Sequence, residues 1–473
     1  MNQTTILFVD LDNTLTRSDF FLEPLLRLLR KDPAALFLLP FWLIRGRSYF
    51  KQQLSDRITI DVAEIPYDDE VLEYLSAQRK TGRKIVLATA SNRVFADQVA
   101  DHLGLFDDVI ASSDDLNIKG KNKLAAIQRY AGDQSFDYLG DSHADIPIWE
   151  EINRAFVVSP QIGVLQRLKK RDIPIELIHP APAVGSYLNA LRPWQWVKNC
   201  LVFAPLILAK QLFDPSSLSA CLAVFISFSL VASAGYLVND LFDLEADRRH
   251  PRKKNRPLAS GAVSLWNTVF LAVILLVIGL LIALLISCDL VFLLVIYFVM
   301  VTIYSLELKQ HAMIDVILIA GFYVARIIAG GLAANVSISF WLLAFSLFVF
   351  LSLALLKRCT EIRTTSRETD TLVPGRGYYQ DDEALLSIMG ITSGYLSVIV
   401  IALYINSDEV ATLYNSPQSL WFVCPLMLYW ISHMWLKTRR NEMNDDPLVF
   451  ALRDKVSLVT GLLLALVMLL ATI

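Results

Sequence analysis

The stretch Val238–Gly261, VNDLFDLEADRRHPRKKNRPLASG, decides how the chain is read. It closes an apolar run that ends near Leu237 and sets Asp240, Asp243, Glu245 and Asp247 directly before Arg248, Arg249, Arg252, Lys253, Lys254 and Arg256. Steps of four residues nearly return to one helix face, so Asn239, Asp243 and Asp247 are expected to form a polar stack with Asp240 a partial turn away. Hard oxygen ligands in this arrangement suit Mg²⁺, which keeps several waters and completes its shell with a substrate's phosphates. The cations that follow suit the phosphate oxygens the metal leaves free. Acids at a membrane boundary can also be solvated helix-end charges; the dense acid-then-base order favours a magnesium–diphosphate site.

NDLFDLEAD resembles the NDxxDxxxD motif of the UbiA superfamily of intramembrane prenyltransferases, and KKNRPLASG resembles the KxRPL segment that follows it there. The resemblance implies an all-α bundle of about nine transmembrane helices, with Asn239, Asp240, Asp243 and Asp247 as metal and catalytic residues and Lys253, Lys254 and Arg256 on the substrate.

Outward from this segment the chain divides. Its 473 residues exceed one usual domain. The 55 % hydrophobic content and mean hydropathy of +0.47 average two unlike halves. Residues 1 to about 185 are mixed and charged; the remainder is mostly long apolar runs. A net charge of −3 argues against a nucleic-acid partner. Cys200, Cys221, Cys288, Cys359 and Cys424 show no pair or metal spacing and read as reduced packing residues. MNQTTILFVDLDNTLT lacks a basic leader and places Asp10 and Asp12 where a signal core would sit, so it is not read as a signal peptide.

In the first half, Thr5 to Val9 is a short apolar run ending in Asp10-Leu11-Asp12-Asn13-Thr14. A buried strand that delivers two acids to its C-terminal edge is the usual place for a site in an open α/β sheet. Lys84 to Ala88 ends in Thr89-Ala90-Ser91, Asn117 to Lys123 carries three lysines, and Phe136 to Leu139 ends in Gly140-Asp141-Ser142-His143-Ala144-Asp145. Helical periods between these runs suggest βαβ units.

The set resembles the haloacid-dehalogenase (HAD) superfamily: DxDxT, a strand ending in Thr or Ser, a lysine, then GDxxxD. The resemblance implies an α/β Rossmann-like domain over residues 1–175, with a small helical cap at about 17–75. It implies Asp10 as nucleophile, Asp12 as acid and base, Thr89 and Lys123 on the phosphoryl oxygens, and Mg²⁺ on Asp10, Asp141 and Asp145. Lys119 and Lys121 rival Lys123, and Ser91 rivals Thr89. The acid at the second position favours phosphatase over dehalogenase chemistry. A non-catalytic relative of that superfamily is the alternative, and the four intact motifs oppose it.

Within the cap region, Ala34 to Ile44, AALFLLPFWLI, is too short to span a bilayer and is interrupted by Pro40. It reads either as the cap's own core or as a surface touching the bilayer, with Arg45, Arg47 and Lys51 on headgroups.

Pro174, Pro180 and Pro182 mark a linker at 176–190, and 191–473 reads as the membrane domain. RPWQWVKN puts Trp194, Trp196, Arg192 and Lys198 at headgroup level. Nine apolar spans are expected, near 197–213, 216–238, 264–286, 289–306, 314–332, 338–356, 386–405, 418–436 and 454–472. The loops at 241–263, 307–313, 357–385 and 437–453 hold sixteen Lys and Arg residues, against Lys210 alone in the opposite loops. Such a bias places those loops, and both sites, on the cytoplasmic side of a multi-pass inner (cytoplasmic) membrane protein. Lys357 and Glu361 share a helix face beside Arg358. Arg326, inside a span, is a functional candidate or is held by Asp315 or a backbone carbonyl. Arg376, Tyr378, Asp446 and Asp454 read as loop structure.

Asp315 is followed four residues later by Ile319, so the second acidic motif of aromatic prenyltransferases is absent. RPWQWVKN, YSLELK, GFYVARIIAGG and LLKRCTEI resemble the decaprenyl-phosphate phosphoribosyltransferases of the UbiA superfamily. This implies phosphoribosyl pyrophosphate (PRPP) as donor and a polyprenyl phosphate as acceptor, with Lys198, Lys254, Arg256, Lys357 and Arg358 supplying charge for the diphosphate and the separate 5-phosphate. Arg326 and Glu361 complete the expected substrate site. A prenyl diphosphate donor with an aromatic or other acceptor is the alternative.

Overall fold

The computed structural model describes residues 5–112, 118–181, 183–364, 375–407, 410, 413–443 and 446–472. Arg367, counted in the charge bias, Pro182 and Asn117 lie outside the described residues, as does the side chain of Arg47. The chain forms two compact units: residues 1–191 with 236–272, and residues 192–235 with 273–473. The acidic–basic segment therefore belongs to the first unit.

The first unit is built on a six-stranded sheet in the order β3-β2-β1-β4-β5-β6. The strands are β1 (Ile6–Val9), β2 (Ile85–Asn92), β3 (Asp108–Ser112), β4 (Phe136–Gly140), β5 (Ala155–Val158) and β6 (Ile175–His179). All pairings are parallel. β1 is buried on both faces: Leu7 and Val9 enter one apolar cluster, Ile6 and Phe8 the other. Alternating side chains of one strand thus feed two layers. The strand order reverses at β1, and a crevice opens beyond the strand ends at such a switch point. β6 occupies part of the expected linker; its flanking prolines bound a strand. Helix Asp69–Lys80, expected partly in the cap, buries Val71 and Leu75 against the sheet. Of the three-lysine segment, Lys121 and Lys123 lie in the first turn of helix Lys121–Ala131.

The cap comprises helices Leu22–Lys31, Leu39–Ile44 and Arg47–Arg57 with a 3₁₀ turn at Pro33–Phe37. Leu28, Ala35, Trp42, Phe50, Leu54 and Ile58 form its core. Helix Leu22–Lys31 is apolar on a second face, where Leu22 and Leu26 pack on Leu241, Leu244, Leu258 and Leu265.

Among the described residues, eight helices are long and apolar enough to cross a membrane: Pro215–Phe242, Leu265–Leu284, Cys288–Leu306, Ile314–Ala334, Phe340–Thr364, Asp382–Ile405, Pro417–Arg439 and Lys455–Thr472. The ninth expected span is instead a 3₁₀ segment, Pro193–Phe203, continued by helix Ala204–Leu208. At a rise of about 2.0 Å per 3₁₀ residue and 1.5 Å per α residue, it extends about 30 Å. That matches a hydrocarbon core. This segment packs closely on helix Ile314–Ala334, where a Cβ on Gly330 would stand 1.9 Å from the Val202 carbonyl oxygen. Small residues permit such backbone approach. All five cysteines are free; Cys221, Cys359 and Cys424 are buried, while Cys200 and Cys288 are exposed rather than packed.

Candidate active sites

At the switch point of the sheet, Asp10 follows β1, Thr89 and Ser91 end β2, and Asp141 follows β4. Asp10, Asp141 and Asp145 are all buried, with ligand oxygens within 4.8 Å of one another. Among the described residues they are the one group of three His, Cys, Asp or Glu side chains gathered closely enough to share an ion. Burial pushes the Asp10 and Asp141 carboxyls above the usual range, with Asp145 adding repulsion to each. A buried carboxylate cluster of this kind is relieved by a divalent cation, and an all-oxygen donor set is the kind Mg²⁺ accepts.

Of the three rival lysines, Lys119 and Lys121 are exposed and Lys123 is the buried one. Its Nζ lies 2.8 Å from Asp10 Oδ2 and 3.4 Å from Asp145 Oδ1, and it donates to Tyr138 Oη at 2.8 Å. Asp145 is fixed further by Tyr138 Oη at 2.7 Å and by the Ser142 backbone N–H and hydroxyl at 3.0 and 2.7 Å. Asp12 accepts from the Phe20 N–H at 2.7 Å and from Ser91 Oγ at 2.5 Å. Burial, then Asp19 and Asp10, push its carboxyl up to about 7. A carboxyl that titrates near neutrality is suited to giving and taking a proton. Ser91 therefore orients the acid, while Thr89, fully buried, accepts from the Ser91 N–H at 3.0 Å.

One cap residue reaches this crevice without having been expected there. Lys51, expected on headgroups, donates from Nζ to the Ala90 carbonyl, and its charge is felt by Asp12, Asp19, Lys119 and Lys123. Burial lowers its ammonium below the ordinary value. Nothing in a cap helix 39 residues before Ala90 signals that placement.

Helix Pro215–Phe242 gives way at Asp243 to the short helix Leu244–Arg249. Asp240 and Asp247, seven residues apart and thus nearly two turns, are the pair that meet. Both contact Arg256, at 3.2 and 2.5 Å. Burial raises the Asp247 carboxyl, against the pull of Arg256. Asp243 turns to the cap, where Arg30 lies 3.5 Å away and also donates to the Phe242 carbonyl at 2.8 Å. The Asp243 N–H donates to the Asn239 carbonyl at 2.9 Å and the Asp247 N–H to the Asp243 carbonyl at 2.8 Å, so the four-residue row runs on through the junction, with Asn239 half-buried. Asp240, Asp243 and Asp247 are not gathered as closely as the acids at the sheet. Lys253 and Lys254 are exposed. Cap residues continue the pairing: Arg27 to Glu245 at 3.6 Å, Glu23 to Arg248 at 2.9 Å, and Glu64 to Arg249 at 2.6 Å. Glu23, Arg27, Arg30, Leu241 and Glu245 line a cavity of about 530 Å³ there.

In the second unit, Arg326 is wrapped by the Phe228, Tyr297 and Tyr323 rings and donates to Asn199 Oδ1 at 2.7 Å and to the Phe322 carbonyl. Asp315 instead holds Arg358, at 2.5 and 2.9 Å, and Arg358 also pairs with Glu361. Tyr304 and Arg376 close this buried network. Arg326, Arg358 and Glu361 are thus committed to protein partners, as is Lys198 to Asp446. Lys357 forms no ion pair or hydrogen bond among the described residues, and its neighbours in charge are Glu361, Lys198, Arg358 and Asp446. Asp446, Arg376 and Tyr378, read as loop structure, each have a partner distant in sequence: Asp446 pairs with Lys198, Arg376 donates to Tyr304 Oη at 3.0 Å, and Tyr378 Oη accepts the Met313 N–H at 3.0 Å.

Comparison with known proteins adds family models and relatives. The model of the UbiA prenyltransferase family matches residues 200–458, and that of the haloacid dehalogenase-like hydrolases matches residues 7–150. An uncharacterized protein, y4nM, of Sinorhizobium fredii is 35 % identical over 97 % of this chain and 89 % of its own. A decaprenyl-phosphate phosphoribosyltransferase of Mycobacterium tuberculosis is 38 % identical over 192 residues, which is 40 % of this chain and 64 % of the relative. Among solved structures, a UbiA homolog from Archaeoglobus fulgidus bound to GPP and Mg²⁺ aligns with a TM-score of 0.47 and 16 % identity. It covers 61 % of this chain and 100 % of its own.

Proposed function

The chain belongs to the UbiA prenyltransferase family, and we propose that it transfers 5-phosphoribose from PRPP to a polyprenyl phosphate and then removes the 5-phosphate at its HAD-like domain. The observation that carries the donor assignment is the 38 % identity to a decaprenyl-phosphate phosphoribosyltransferase. In the transfer, an oxygen of the lipid phosphate attacks C1 of the ribose, the C1–oxygen bond to pyrophosphate breaks, and pyrophosphate leaves. The acceptor is anionic at neutral pH, so no general base is required; placement and charge stabilisation carry the step. Asp240, Asp247 and Arg256 form the pyrophosphate end of this site with Asn239 and Asp243, and Lys253 and Lys254 lie beside it in sequence. Lys198 and Lys357 serve the remaining phosphates.

The product retains a phosphate monoester. An Asp10 carboxylate oxygen attacks its phosphorus, the ribose oxygen leaves with the proton of Asp12, and Asp12 then draws a proton from the water that releases inorganic phosphate. Lys123, Thr89 and Lys51 hold the phosphoryl oxygens. Asp10, Asp141 and Asp145 at one site, and the carboxylates of the membrane site at the other, would hold Mg²⁺, which would supply charge neutralisation at both. Both sites face the cytoplasm, consistent with the sixteen cations on that set of loops. Purified Asp10→Asn protein is expected to accumulate phosphoribosyl lipid; continued release of inorganic phosphate and ribosyl lipid would refute the assignment.

A further inference from the structure

The expected apolar cap stretch is neither wholly core nor wholly surface. Trp42 and Ala35 are buried in the cap, whereas Leu36, Phe37, Phe41, Leu43 and Ile44 are 56, 76, 67, 59 and 83 % exposed. No charged residue interrupts the chain between Asp32 and Arg45. A contiguous apolar ridge of this kind is rare on a domain surrounded by water.

Its position within the first unit says what covers it. The helix before it, Leu22–Lys31, is tied at both ends to the ends of membrane-spanning helices. Arg30 donates to the carbonyl of Phe242, the last residue of the span Pro215–Phe242. Asp19 accepts from Trp266 Nε1 at 2.9 Å and Phe21 stacks on the Trp266 ring, at the start of the span Leu265–Leu284. Only residues 32–35 separate this anchored helix from Leu36, where the ridge starts. The ridge therefore begins where the spans leave the hydrocarbon. Exposed Lys31 and Arg45 bracket it, and Arg45 stacks over Tyr49. Aromatic and aliphatic side chains flanked by cations are the composition of a segment that lies in the headgroup–acyl boundary.

We propose that Leu36–Ile44 inserts into the bilayer surface as a wedge, so that the HAD-like cap rests on lipid and admits phosphate monoesters presented from the membrane. The insertion itself does not depend on which donor the transferase uses. The test uses the full chain in nanodiscs of phosphatidylethanolamine and phosphatidylglycerol, with p-benzoylphenylalanine placed at Phe41 or, as a control, at Ile162, which is 91 % exposed on the sheet domain. Illumination is expected to attach phospholipid at position 41 at least about tenfold more than at 162. Equal yields at the two positions, or a cross-link from 41 to a second copy or another protein, would overturn the proposal. A second arm uses Phe37→Ser/Phe41→Ser/Ile44→Ser. Hydrolysis of soluble p-nitrophenyl phosphate should stay within about twofold, while hydrolysis of a bilayer-embedded phosphate monoester falls about tenfold. An equal loss on both substrates would make the ridge cap core and sink the idea. A wild-type chain without phosphatase activity would count against the proposed function, and the cross-link would still decide the wedge.

Discussion

Replacing Glu23 by Gln tests whether the cap is locked to the acidic–basic segment by buried charge. Glu23 is 2 % exposed and sits between two guanidiniums, Arg27 at 2.8 Å and Arg248 at 2.9 Å, with Ser18 Oγ donating to its other oxygen. Gln keeps the shape and loses the charge, leaving two cations facing each other with little water. Breaking a buried pair from one side costs about 3–5 kcal/mol. Arg27 retains Glu245 at 3.6 Å and Arg248 retains the Ala259 carbonyl at 3.4 Å, so the lower end, about 3 kcal/mol, is expected. For a unit of this size that lowers Tm by roughly 6–12 °C, readable by differential scanning fluorimetry in nanodiscs. The pH dependence has a definite sign. Burial alone would raise the Glu23 carboxyl, but Arg248 and Arg27 outweigh it and hold the group below its ordinary value of 4.5. Its stabilisation is therefore fully present above pH 4.5 and is lost as pH falls through the lower, folded-state value. Wild type should lose its advantage over Glu23→Gln in that acidic window. Adding Arg248→Met to Glu23→Gln should recover part of the loss. A Tm unchanged by Glu23→Gln at neutral pH, or a gap between the two proteins that persists unaltered through the acid range, would refute the buried-charge account.

Lys51→Ala should reduce turnover of p-nitrophenyl phosphate by about tenfold with little effect on Tm; unaltered kinetics would remove Lys51 from the phosphatase site. Arg256→Ala separates Asp240 from Asp247 and should slow transfer by about 10–100-fold while p-nitrophenyl phosphate hydrolysis is retained. Equal damage to both activities would point to misfolding instead. Gly330→Ala drives a methyl to 1.9 Å from the Val202 oxygen and should cost about 1–3 kcal/mol, whereas Gly321→Ala in the same helix meets nothing within 4 Å and should be silent in the same melt.

Much of the sheet domain was legible because strand ends deliver its acids locally. Asp10, Asp12, Asp141 and Asp145 each lie within a few residues of a buried apolar strand, so spacing along the chain translates directly into spacing in the crevice. Motif order alone favours Lys123 over its rivals Lys119 and Lys121; the phase of helix Lys121–Ala131, which turns Lys123 inward, is what the spacing did not supply. Lys51 was invisible because it reaches the site from the cap. Along the acidic segment, the two steps of four from Asn239 to Asp247 drift round the helix, and the seven-residue pair Asp240–Asp247 stays closer to one line, where both meet Arg256. Partners far apart in sequence left no signal at all, as with Lys198 and Asp446, 248 residues apart. Nor could the apolar stretch at 34–44 be divided in advance. A 3₁₀ turn followed by a short helix begun through Pro40 has no single period, so the split between Trp42 inward and Phe41 outward had to be seen.

The most direct measurement supplies the purified chain, in nanodiscs with Mg²⁺ and a panel of polyprenyl phosphates, with PRPP radiolabelled in its ribose. Label should pass into an organic-extractable lipid, first as the phosphoribosyl and then as the ribosyl form, and unlabelled prenyl diphosphate should not compete. Label that stays in water, while a prenyl diphosphate is consumed in its place, would contradict the account.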